Sequence, residues 1–188
     1  MLNVQTLESI LIGAFSGTEL VLEGDHAKGD RTPKAIAEGV VSEIKASAVV
    51  IVPPHAGGTY QVTGLSESGM SAKVLQKLKA EGINTDNEHC KAGIIPTAIA
   101  KAVTGAVLAS MKVSIPTDGS GSFNLSGLSG SDLQARIAAE LSTVLTLNGP
   151  HAKGGLIALA AGPALASYLN SNAVISGSFT PGGTYKVQ

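Results

Sequence analysis

Apolar residues recur at every fourth position in two kinds of run along this chain. The first kind comprises Leu7, Leu11 and Phe15, then Met70, Val74 and Leu78, then Leu133, Ile137 and Leu141. The second comprises Ile36, Val40 and Ile44, then Ile99, Val103 and Val107, then Ala161, Leu165 and Leu169. A spacing of i, i+4, i+8 stacks side chains on one helical face, so each run predicts an amphipathic helix. Pro33 and Pro96 fall where the second helix should begin, in a first turn with no hydrogen bond to lose, and Ser47, Ser110 and Asn172 stand near its end. β-Branched residues then take over in AVVIVPP, MKVSIPT and AVISGSF, and the period shifts toward two. A Gly-containing turn follows, and Tyr60/Val62, Phe123/Leu125 and Tyr185/Val187 predict the return strand of a hairpin. GLSESG at 64–69 and GLSGSD at 127–132 read as turns ending in a helix N-cap, with Ser129 or Ser131 as the capping oxygen in the latter.

The pattern is a repeat. Residues 26–62 placed on 151–187 match without a gap at 13 of 37 positions, where a chain rich in Ala, Gly and Val gives roughly three by chance. A slide of 63 lands the same segment on 89–125, pairing His26 with His89, Lys28 with Lys91, Pro33 with Pro96, Ile36 with Ile99 and Pro53 with Pro116. The chain thus divides into residues 1–63, 64–126 and 127–188, the third segment one residue shorter before His151. The expected fold class is α+β: three tandem helix-helix-β-hairpin repeats of about 63 residues sharing one core, with pseudo-threefold symmetry. A unit of about 60 residues buries too little apolar surface to be stable by itself, so the three must pool their interiors. A closed ring is favoured over an open stack, because a stack needs polar capping repeats and neither end carries one.

Composition narrows the function. Charged residues make up 14% of the 188 and the formal net charge is −1, so no field draws in nucleic acid, and a surface this poor in charge suits a chain covered by neighbours. The N-terminal stretch has no basic region ahead of its apolar residues and Glu8 interrupts them, so secretion is not expected; no run reaches transmembrane length. The one cysteine, Cys90, has no internal disulfide partner.

Candidate chemistry is sparse. His26-Ala27-Lys28, His89-Cys90-Lys91 and His151-Ala152-Lys153 form the polar signature present in all three copies. Three histidines on an axis could hold a metal, but the lysines arriving with them argue against a cation, and no metal is expected. An anion or carboxylate contact with His26, Lys28, His89, Lys91, His151 and Lys153, ahead of the second helix's free N–H groups, is the better functional reading. The plainer one has each His capping or packing its loop and each Lys solvated. His55 reads as an exposed turn residue. DGSGS at 118–122 lies between two strands and is no phosphate loop, and no GxSxG elbow occurs, so neither catalysis nor a cofactor is expected.

The run from the second helix into the first strand, AIAEGVVSEIKASAVVI, AIAKAVTGAVLASMKVSI and ALASYLNSNAVISGSF, resembles small bacteriophage late-region proteins, in which an Ala/Ile-rich helix passes into a Val-rich strand and a Gly-rich hairpin. The resemblance covers about 25 residues per copy. It implies a virion structural or assembly role, such as a head decoration, neck or tail component. Three copies in one chain would make this a single-chain stand-in for a homotrimer.

The expectation is therefore a non-enzymatic structural protein of a bacteriophage particle, made in the host cytoplasm and found in the virion. Its expected partners are other virion proteins (capsid, neck or tail) and further copies of itself, with no nucleic acid and no membrane. The alternative is a soluble binding module taking an anionic ligand through the His-x-Lys loops.

Overall fold

A computed structural model describes residues 1–18, 30–83, 85, 93–145, 147 and 154–188. Among them the fold is mixed α+β, with six helices and six strands in the order helix, helix, strand, strand, three times over. These are α1 (Val4–Ser16), α2 (Arg31–Ser47), β1 (Val49–Val52), β2 (Gly58–Thr63), α3 (Glu67–Ala80), α4 (Ile94–Ser110), β3 (Lys112–Ile115), β4 (Ser120–Asn124), α5 (Gly130–Ser142), α6 (Gly154–Asn172), β5 (Val174–Ser178) and β6 (Gly183–Lys186). Asn3, Ser66 and Ser129 start α1, α3 and α5 in the same way, each side chain accepting the backbone N–H three residues on, from Thr6, Gly69 and Asp132. Of the two serines expected to cap α5, Ser129 does so; Ser131 bonds only to its hydroxyl. No helix among the described residues is long and apolar enough to cross a membrane.

All eighteen apolar column residues of the six predicted helices are buried, and they belong to one contiguous core. The helices pack side by side in sequence order, and α6 closes back on α1. Every first helix of a pair therefore lies between two second helices: α3 between α2 and α4, α5 between α4 and α6, α1 between α6 and α2. The strands alternate: Val50, Val52, Val62, Val113, Ile115, Leu125, Ile175 and Val187 are buried, while Ile51, Thr59, Gln61, Ser114 and Ser122 face out.

Strand pairing departs from the expected hairpins. Within β1–β2 only Val49↔Thr63 and Val50↔Val62 pair; beside β3 and β4 the link is Lys112↔Ser126, and beside β5 and β6 it is a reciprocal pair of backbone bonds between Val174 and Gln188. The longer ladders join each return strand to a different partner: β2 to β3, β4 to β5 and β6 to β1, all antiparallel. Followed from β1 through these ladders and links, the pairing returns to β1. The physical reason is that apolar alternation decides which face of a strand is buried and leaves open which neighbour it bonds.

Tyr60, Phe123 and Tyr185 are half-buried, and both tyrosine hydroxyls are used: Tyr60 donates to Ala56 O, and Tyr185 to Ser178 O and Gly182 O, tying each turn to its own strand. The buried rings are Phe15, Phe179 and Tyr168. Phe179 lies in the β5–β6 turn, edge-on to Phe123 at 5.5 Å and tilted against Tyr185 at 4.4 Å between centroids.

Candidate functional site

The six residues singled out in the sequence, His26, Lys28, His89, Lys91, His151 and Lys153, lie outside the described residues, as does Cys90. The described chain resumes at the start of α2, α4 and α6, which is where the predicted segments lead.

At the start of α2 a set of charges is already neutralised internally. Lys34 pairs with Asp30 at 2.7 Å, Lys77 of α3 pairs with Glu81 at 2.9 Å, and the Arg31 guanidinium donates to the Glu81 carbonyl. The Lys34 ammonium holds the Asp30 carboxyl below its ordinary range, and Lys77 does the same to Glu81. The two lysines are held above theirs by the hydrogen bonds to Asp30 and Glu81. The start of α4 is less charged. A groove of about 370 Å³ opens between α3, α4 and α5, lined by Leu75, Ile94, Ala98 and Val144 with Thr97 and Thr143, and the Lys101–Glu140 pair at 3.0 Å crosses it.

The strand turns meet one another. His55 and Asp118 share an uncommon backbone conformation, φ 53° in both, and His55 Nδ1 lies 3.0 Å from Asp118 Oδ1. The His55 N–H donates to Thr180 O, and Phe179 N–H to Gly119 O, so all three turns touch. His55 is exposed, as its place in the sequence implied. A solvated imidazole and carboxylate of this kind contribute little to stability.

Among the described residues three polar side chains go into the interior: Thr104, whose hydroxyl donates to Met70 Sδ at 3.4 Å, Glu43 and Tyr168. Glu43 on α2 is 4% exposed, lies 2.9 Å from Lys73 Nζ, and sits at the first turn of α3, where the helix dipole favours a negative charge. A Cβ on Gly69 would stand 2.6 Å from its Oε1, so the glycine makes room for the carboxylate. Tyr168 on α6 is 2% exposed; its hydroxyl donates to Asn3 O at 2.7 Å and accepts from the Asn3 N–H. Burial pushes the phenol above its ordinary value. Sequence reasoning passed over Glu43 and Tyr168. They occupy aligned positions, with Ala106 between them, one place before the last apolar column of each second helix, and the signal was the change of chemistry at that one column.

Among the described residues, no group of three His, Cys, Asp or Glu side chains is arranged to hold a metal ion. No family model, curated protein or solved structure matches the chain.

Proposed function

We propose that the chain is a non-enzymatic structural or assembly protein, one polypeptide standing in for a homotrimer. Residues 1–63, 64–126 and 127–188 are, in this reading, three copies of one unit around a pseudo-threefold axis, each too small to be stable alone. One observation carries it: the three joints between successive units share a register. Tyr60 pairs with Val113, Phe123 with Ile175 and Tyr185 with Val50; Gly58 pairs with Ile115, Gly121 with Gly177 and Gly183 with Val52. These pairs map onto one another under the same slides of 63 and 125 that align the sequence. Beyond each ladder, Val62 N–H donates to Met111 O, Leu125 N–H to Ala173 O and Val187 N–H to Ala48 O, again at aligned positions.

A body of this symmetry suits a site where three or six copies of something else already meet, because it presents similar backbone geometry three times with a different surface on each third. The likeness of the helix-to-strand run to bacteriophage late-region proteins supports a virion as the setting, with capsid, neck or tail proteins as partners. The test is cryo-electron microscopy and quantitative mass spectrometry of particles from the chain's source. The expected result is the chain present in many ordered copies at symmetric positions. Recovery only as free protein, absent from the particles, would refute the reading.

A further inference from the structure

The circuit has three joints, and two of them are bridged by the chain itself: β2 runs through residues 64–66 into α3, and β4 through residues 125–129 into α5. The third, between α6 with β6 and α1 with β1, joins opposite ends of the sequence. Gln61 reaches Ala109 O across 48 residues, whereas its aligned counterpart Lys186 reaches Ala46 O across 140. Loop-closure entropy scales with the logarithm of that span, which disfavours the third joint about fivefold relative to the first. Its ladder is no longer than the others: four residue pairs, against four in β2–β3 and five in β4–β5.

What differs is the side chain at the helix contact. Glu43, Ala106 and Tyr168 are the aligned residues at the α2–α3, α4–α5 and α6–α1 contacts, and of the three only Tyr168 clasps the backbone of the neighbouring helix cap. Its hydroxyl meets both the N–H and the C=O of Asn3, the residue whose side chain caps α1. We propose that Tyr168 is the latch of the closing joint: it offsets the missing covalent tether, and without it the molecule opens between α6–β6 and α1–β1 while the other joints hold. An opened joint bares the edges of β1 and β6, a template on which a further strand can pair. The inference rests on the pairing circuit and the helix contacts, not on the virion assignment.

Three aligned amides report on the three joints: Val62, Leu125 and Val187, each donating across one of them. Hydrogen exchange at these amides in the parent chain and in Tyr168→Phe is the test. In the variant, Val187 should exchange about tenfold faster relative to Val62 and Leu125 than it does in the parent, the scale of a lost buried hydrogen bond. Joining residue 188 to residue 1 covalently in the same variant should reverse most of that gain. Equal acceleration at all three amides, or no change at Val187, overturns the proposal. Should linear Tyr168→Phe fail to fold, the joined variant decides: recovery of the fold supports the latch, and failure there too overturns it.

Discussion

Gly64 holds φ at +86° with the Ser47 carbonyl oxygen directly where a side chain would begin, and Gly127 does the same at φ +115° against Ser110. Both lie at the passage from a return strand into the next helix, where the chain turns back across the end of the preceding one. Gly64→Ala combines a left-handed conformation with a clash against backbone, and should cost about 1–3 kcal/mol in urea unfolding. A neutral result would mean the turn is looser than described. In the sequence these glycines were visible as part of the matched Gly-Leu-Ser, but the reason for them was not, because the carbonyl they face is 17 residues away in each case. The same limit applies to the site residues. The repeated His-x-Lys letters drew attention because repetition is easy to see, and they fall outside the described residues. Glu43 and Tyr168, two of the polar groups carried into the interior, differ at aligned positions, so repetition could not flag them.

At the scale of elements, the helices were legible and the strand partners were not. A helix is written in local spacing: Leu7, Leu11 and Phe15 share a face whatever surrounds them, and the capping oxygens lie three residues from the N–H they satisfy. A strand's partner is a tertiary outcome: the Gly-containing turns suggested hairpins, and these form only short links such as Val49↔Thr63 and Val50↔Val62, while the longer ladders pair β2 with β3, β4 with β5 and β6 with β1. Ion pairs at the start of α2 and the end of α3 also set a pH dependence. Asp30 and Glu81 have folded values below their ordinary ones, so the stability they contribute is present above the unfolded carboxyl values and is lost as pH falls through the folded ones. The thermal midpoint should therefore drop on acidification below about pH 4, and Asp30→Asn with Glu81→Gln should lessen the drop. These pairs are about a third exposed, so 1 M salt should shrink the difference as well; a drop unaffected by either change would place its origin elsewhere.

At the scale of the molecule, one core runs through all six helices and all three segments. The eighteen apolar column residues of the helices share that core, and each first helix is covered on both sides by second helices: α3 by α2 and α4, α5 by α4 and α6, α1 by α6 and α2. Closure brings the sequence ends to the same neighbourhood: Asn3 bonds to Tyr168, and Gln188 bonds to Val174 just beyond the same helix. If the three joints are equivalent, the place where the chain starts is arbitrary. The most direct measurement is thermal unfolding, by circular dichroism, of a permutant in which residue 188 is linked to residue 1 and the chain is reopened between Thr63 and Gly64. The account predicts the same helix content and a single cooperative transition within about 5 °C of the parent. A permutant that is unfolded or melts in separate steps, while the linked but unopened chain folds normally, would contradict it.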